Sequence, residues 1–545
     1  MTEARARTIE LVAFVAILVA AAVLRFVDLP TRGTWDADQG HDMLVLRDFV
    51  QRGVIPLLGP PTSIGDFHHG MLYYLLLAPA AAVSGVDPTA VTAWIALGGV
   101  VAVGVTGWLA RSIGGPVAGV VAATLMAVSA SAVEESTFIW NPNVIALSSS
   151  IALAAAWHAW QARRARWWIV AGAAAVVTMH CHVLGVTLTP VVAALLVADV
   201  RRRRAAGDRA GARAVLVSAG WWIVLLLLSY VPLAIHEWTS DASELRAAIA
   251  FLTGGGGPAA IPLPARVPIV GLRILGWPLA GLITSAPIET ILASTLVVVV
   301  TVWRGWLVPR SDERTAVRWL ALGLVWTVVA LAVGAPSLAT VVLGLPNDHY
   351  HAFADPIVFV LVGAGIASLV GVARASMSSD DRLSTVPASV RVAGFGLGAV
   401  VLLGLVGWNV TRQPPVVAPD GGWPAAQVAA ARVLVAARGE PFALDSLPAV
   451  KPADALRFPV ERLAPAAIVP APASLGSGSH VDEAARVVLC DQLFHETIGS
   501  DCGGPAEDAY ASSIFGQPVP PTFVVLRFEA APGRWITVYR PTPAR

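Results

Sequence analysis

Lysine is almost missing: Lys451 stands alone against 36 arginines in a chain of 545 residues. An imbalance spread so evenly reads as codon bias in a GC-rich genome and names no partner. Charge is scarce too. Only 13% of residues are charged and 56% are hydrophobic, with mean hydropathy +0.69, whereas a soluble domain carries about 25% charged residues. A soluble globular chain is excluded. A net charge of +1, with no basic stripe outside short loops, leaves a nucleic-acid partner without electrostatic support. Three cysteines cannot build a disulfide framework, but Cys490 and Cys502 lie close together in a polar stretch and suggest one bond in an oxidising compartment, while Cys181 lies in an apolar hairpin. No HExxH or CxxC spacing marks a metal site, and no repeat marks a solenoid or propeller.

What the chain has is apolar runs of spanning or near-spanning length, at 70–85, 90–110, 114–131, 143–161, 168–182, 183–199, 214–234, 287–303, 319–343, 354–372 and 392–409, after a first apolar helix within residues 1–28. A cleaved signal peptide competes for that first helix, because its core from Leu11 to Leu24 is short. The membrane character of everything downstream favours a retained helix with its N-terminus inside. Arginine clusters at Arg163 to Arg166, Arg201 to Arg213, Arg304 to Arg318 and Arg374 to Arg391 are expected to face the cytoplasm. Walking outward from them puts Glu134 to Asn143, the turn at His180 and His182, the segment from His236 to Ile288, Pro346 to Asp355 and all residues after Trp408 on the far side. The fold class expected is an α-helical polytopic membrane protein with about 11 to 13 transmembrane helices over residues 1–410. The runs between 70 and 110 cannot both cross if the loop after residue 28 is external and Arg111 internal. Residues 254–286, broken by Gly and Pro and carrying Arg266 and Arg273, read as lying along the interface.

From Thr411 the spanning runs stop. PFALDS, ARVVLC, TFVVLRFE and RWITVYR read as strands, the last two as a hairpin, and AAQVAAARVLVAA as a helix. Residues 411–545 are therefore expected to form a small extracytoplasmic α/β domain.

The dense chemistry lies between Thr31 and Pro79, in a first external loop (29–69) holding Asp36, Asp38, Asp42, Asp48 and Asp66 with His41, His68 and His69. Asp36 and Asp38, two apart, can present both carboxylates to one site if extended; Asp38 can equally cap an amphipathic surface helix carrying Met43, Leu44, Leu46, Phe49 and Val50 on one face. His68 and His69 are either hydrogen-bonding groups or, with Asp36 or Asp38, ligands for a divalent metal. Tyr73 is a candidate substrate-binding residue, and it and Tyr74 equally fit an interfacial aromatic belt. In the other outer segments, Glu135 lies before Trp140-Asn141-Pro142-Asn143, where Asn141 and Asn143 bind sugar hydroxyls or cap the next helix. His182, Arg246, Arg266, Arg273, His349, Tyr350 and His351 are the remaining candidates for contact with an anionic substrate.

The Trp35-Asp36 loop, the run Gly65-Asp66-Phe67-His68-His69-Gly70-Met71-Leu72-Tyr73-Tyr74, the later Trp140-Asn141-Pro142-Asn143 and the His182 hairpin together resemble the GT-C superfamily of polyprenyl-phosphate-dependent glycosyltransferases, closest to its protein mannosyltransferase and aminoarabinose transferase branch. The resemblance implies an inverting transfer of a sugar from a polyprenyl-phosphate donor to a cell-envelope glycan, lipid or protein acceptor at the outer face of the plasma membrane. An Asp of the first loop would serve as general base. In that family the Asp is followed by Glu; here Ala37 follows Asp36 and Asp38 comes one place later, so either is the candidate. The leaving phosphate needs cations or donors rather than a strong acid. The competing class is a transporter or flippase of a lipid-linked or polar solute, which would keep ionisable groups inside its spans. A non-catalytic assembly protein is a third. Long runs without charge at 319–343 and 392–409, and the run 354–372 with only Asp355 at its outer end, favour surface chemistry.

Overall fold

In lipid the backbone must satisfy its own polar groups, and the apolar runs accordingly form helices. Eight described helices are long and apolar enough to cross a membrane: Ala4–Phe26, Pro88–Gly114, Val183–Ala205, Arg209–Thr239, Pro287–Leu307, Asp312–Gly334, Ala352–Val370 and Val392–Thr411. Three shorter apolar helices, Leu72–Ser84, Pro116–Val128 and Trp167–Cys181, accompany them. The computed structural model describes residues 3–62, 67–251, 253, 261–307, 311–340, 349–374, 388–469, 485–515 and 523–541. Asp66, the glycine run at 254–257, Pro346 to Asp348 and the segment 375–387 lie outside the described residues.

The eight full-length and three short helices stand beside the expected 11 to 13 spans. Of the two runs between 70 and 110, only Pro88–Gly114 has spanning length. Leu72–Ser84 has 13 residues and ends at Gly85, whose φ of 65° stops the helix; at 1.5 Å per residue it covers about 20 Å of a hydrocarbon core about 30 Å thick.

Polar side chains buried at helix ends tie the bundle together. The Arg25 guanidinium, fully buried, donates to the carbonyls of Ala21, Ala127, Met126 and Ala132 and to Ser136 Oγ at 3.1 to 3.4 Å. It thereby collects the carbonyls of Met126 and Ala127 in the last turn of helix Pro116–Val128. Asn409 accepts from the Ala130 N–H and donates to Leu279 O. The segment read as interfacial is packed into the bundle instead. Its helix Leu263–Ala280 buries Val270, Arg273, Ile274 and Trp277 against neighbouring helices, because its apolar residues form a continuous face that the internal Pro268 and Pro278 do not interrupt.

The C-terminal domain is a five-stranded sheet of β1 (Phe442–Leu447), β2 (Ile468–Val469), β3 (Ala485–Asp491), β4 (Phe523–Ala531) and β5 (Arg534–Pro541), in the order β2-β1-β3-β5-β4. β1 runs parallel to β2 and β3, and β5 antiparallel to β3 and β4. Helices Gly422–Ala436, Asp454–Leu463 and Pro505–Phe515 accompany the sheet, and Cys490 and Cys502 are bonded. All four expected strands and the expected helix are present.

The domain docks on the first loop. Trp35 is 3% exposed, with ring centroids 4.5 Å from Trp423 and 5.8 Å from Phe458, and its indole N–H donates to Ala455 O at 2.8 Å. Asp420 accepts from Thr34 Oγ1 and the Trp35 N–H, and Arg47 pairs with Glu461 at 2.6 Å. Gly40 carries the closest approach: a Cβ there would stand 2.0 Å from Asp454 O and 2.3 Å from its carbonyl carbon. Backbone cannot yield as a side-chain tip can. Gly40→Ala should therefore prise helix Ala37–Arg52 from helix Asp454–Leu463 and lower stability by about 2 kcal/mol or more, read as a drop in Tm of the detergent-purified protein. A Tm equal to wild type would contradict that packing.

Candidate functional site

Helix Ala37–Arg52 begins where it does because Asp36 caps it: the Asp36 carboxylate accepts from the Ala37 N–H at 2.7 Å while Gln39 Oε1 accepts from the Asp36 N–H at 2.8 Å. The cap is Asp36 rather than Asp38. Two cations of the C-terminal domain converge on it, Lys451 Nζ at 3.1 Å and Arg534 Nη2 at 3.2 Å. Burial works to raise the Asp36 carboxyl, but Lys451 and Arg534 prevail and hold it below the usual range. Asp38, in the first helical turn, reaches Lys451 only at 3.8 Å and keeps its side chain 58% exposed. Protein crowded around it and the neighbouring Asp36 charge raise its carboxyl despite Lys451. Both carboxylates thus address one cation, and they are poised oppositely.

One turn further, Asp42 is 2% exposed and receives the hydroxyls of Tyr73 at 2.8 Å and Tyr74 at 2.9 Å. Burial pushes its carboxyl up to about 7, although His41 and both tyrosines favour the charged form. His41 pairs with Asp454 at 3.2 Å, which raises its imidazole.

A strip of rings runs beside this loop. Phe138 and Trp140 stack at 5.8 Å, Trp140 meets Tyr350 at 5.5 Å, Tyr350 stacks on His182 at 4.4 Å, and His182 meets His69 at 4.7 Å. His69 Nδ1 accepts from the Val183 N–H and His182 Nδ1 from the Leu184 N–H, each at 3.2 Å. Accepting at Nδ1 leaves the proton of each neutral ring on Nε2 as a donor. Burial keeps both neutral, taking His69 down to about 3. Beyond Tyr350, His349 and His351 are fully buried against Trp277, with Arg273 lying over the Trp277 ring at 5.0 Å and donating to Leu338 O at 3.0 Å. Glu134 faces His349, and protein around the carboxyl raises it.

Other expected site residues are engaged elsewhere. His68 is bound to Glu244, through Nδ1 at 2.9 Å and its backbone N–H at 2.7 Å, so His68 and His69 do not meet Asp36 or Asp38 to form the metal set considered. Tyr73 and Tyr74, expected at the interface, are buried on Asp42. Asn141 Nδ2 donates to Cys181 O and Asn143 Nδ2 to Phe138 O, braces for the loop with no side-chain cap on the helix. Glu135 ends the short helix Ala130–Glu134, half-buried, and it is Glu134 that faces His349. Arg246 is exposed and pairs with Asp241, and Arg266 is half-buried on helix Leu263–Ala280.

Residues 68–229 match the family model described as dolichyl-phosphate-mannose-protein mannosyltransferase. Among solved structures the chain is similar to apo ArnT from Cupriavidus metallidurans, at 14% identity and TM-score 0.56 over 98% of each chain. The same protein bound to undecaprenyl phosphate gives 14% identity and TM-score 0.55 over 97% of each. The oligosaccharyltransferase AglB from Archaeoglobus fulgidus, with an inhibitory peptide and a dolichol-phosphate, gives 12% identity and TM-score 0.52 over 98% of this chain and 74% of that one. The chain has the ArnT-like GT-C fold. No curated protein matches it by sequence.

In this GT-C bundle the matched segment carries His69, Tyr73, Trp140 and His182. Two features escaped the sequence reading: the clamp of Lys451 and Arg534 on Asp36, and the burial of Asp42. A signal for Asp42 existed, since it lies four residues before Leu46 on the apolar face. Folded Asp42 holds its proton to about pH 7 and the unfolded chain loses it near pH 4, so between those values the native state binds more protons and stability falls as pH rises. Asp42→Asn, which keeps an acceptor for one tyrosine, should flatten Tm between about pH 4 and pH 7 relative to wild type. An identical slope in both proteins would place the proton elsewhere.

Proposed function

We propose that the chain moves a sugar from a polyprenyl-phosphate carrier to an acceptor at the outer face of the membrane, with inversion, and that Asp38 is the general base. The observation that carries this reading is the unequal treatment of the two acids. Asp36 is a capped, doubly ion-paired carboxylate and a weak base, whereas Asp38 is exposed and pushed upward, the state suited to taking a proton from an attacking hydroxyl. Asp36 then acts as a positioning residue that holds Lys451 and the helix start. The ring strip from Trp140 to His69 offers a stacking platform for the sugar, with Nε2–H donors to its hydroxyls. Arg273 supplies a permanent charge for the departing phosphate. A polyprenyl-phosphate donor is supported by the similar folds solved with undecaprenyl phosphate and dolichol-phosphate.

The test is donor consumption by purified protein, followed by mass spectrometry of released polyprenyl phosphate, joined to envelope glycan analysis of a deletion strain to name sugar and acceptor. Asp38→Asn should lower turnover by about 10²- to 10⁴-fold with donor binding retained, and Asp36→Asn should lower stability as well as turnover. Full activity in Asp38→Asn with loss in Asp36→Asn would move the base to Asp36. Solute flipping in sealed vesicles that survives both changes would replace the transferase with a transporter.

A further inference from the structure

We propose that His349, His351 and Asp355 form a binding site for one transition-metal dication of the zinc class, separate from the acid loop. One ligand atom from each residue lies within 4.8 Å of the others, and the three residues are 0%, 0% and 2% exposed. His349 Nε2 stands 3.0 Å from Asp355 Oδ2, within ion-pair distance. That contact already brings an imidazole nitrogen and a carboxylate oxygen to one place beside His351. The ring nitrogens of His351, Nδ1 of His349 and Asp355 Oδ1 reach no hydrogen-bond partner. Buried polar atoms left unpaired cost about 1 to 3 kcal/mol each, and a ligand that accepts their lone pairs removes that cost.

The scaffold holds the three in place. Ala352 N–H donates to His349 O at 3.0 Å and Ala354 N–H to His351 O at 2.9 Å, a turn that delivers both imidazoles to the start of helix Asp355–Arg374. Trp277 lies flat on His349 at 4.9 Å and edge-on to His351 at 5.3 Å, fixing both rings. Two imidazoles and one carboxylate suit zinc and its neighbours and not the oxygen-seeking Mg²⁺ or Ca²⁺. With metal–ligand distances of about 2.0 to 2.2 Å, the atoms would draw to about 3.4 Å apart by side-chain rotation. Three protein ligands leave a coordination position for an oxygen ligand. Arg273 adds a positive charge nearby that Glu134 and Asp355 offset, so that a bound dication leaves a net charge suited to an anionic oxygen such as that of a phosphate. The site does not depend on which acid is the base.

The full-length protein, purified in detergent and stripped by chelator, is titrated with ZnCl2 by calorimetry, and its zinc content is read after equilibrium dialysis. One zinc per chain is expected. His351→Ala and Asp355→Asn should each weaken binding by more than about tenfold, since even outer-shell changes cost 10- to 100-fold. His158→Ala, on a helix away from the cluster, should bind as wild type. Co²⁺ added to the stripped wild type should give visible bands that Zn²⁺ abolishes and excess Mg²⁺ does not, a readout that needs no variant to fold. Absence of stoichiometric zinc and of the cobalt bands in wild type would overturn the site, as would zinc binding that neither variant weakens. Donor turnover by the stripped protein and by Asp38→Asn is scored separately, so a failed metal site and a failed transferase reading are distinguishable.

Discussion

The burial of one indole, Trp35, in the C-terminal domain is the contact on which the candidate site depends. Trp35 is clasped by Trp423 and Phe458, its N–H is taken by Ala455 O, and its own carbonyl accepts from Arg534. An aromatic ring of that size, wholly removed from water with its polar atom satisfied, is worth several kcal/mol. The next residue is Asp36. Anchoring Trp35 therefore sets the start of helix Ala37–Arg52, the distance of both acids from Lys451 and the depth of Asp42.

Charge is so rare in this chain that its placement carries meaning. Some charges serve structure alone, as Arg25 does by gathering helix-end carbonyls and Arg203 by pairing with Asp199. The lone lysine goes to the acid pair, brought there by a domain more than 400 residues downstream in sequence. An ammonium is a compact point charge, and between two carboxylates it can hold one firmly and the other loosely. That asymmetry separates a clamped acid from an open one within three residues.

Several of the segments grouped together by the arginine pattern are in contact. His69 lies against His182 and Val183, Gln39 donates to Ile139 O, and Tyr350 bridges Trp140 and His182. The strands of the small domain were legible because alternating apolar residues bounded by turn residues leave few other choices. The fate of helix Leu263–Ala280 was not, since Pro and Gly in a run of apolar residues fit an interfacial helix as well as a packed one.

By itself the sequence determined the membrane class, the helical bundle, the sheet domain and the chemistry concentrated in the first loop, because hydropathy, charge and period are local properties written along the chain. Only the tertiary structure decided which acid is clamped and which is open, that Tyr73 and Tyr74 turn inward to Asp42, and that His349, His351 and Asp355 face one point. Those outcomes turn on contacts between segments hundreds of residues apart and on side-chain burial of a few ångströms, and pK shifts and coordination follow distance in space, which local pattern does not encode.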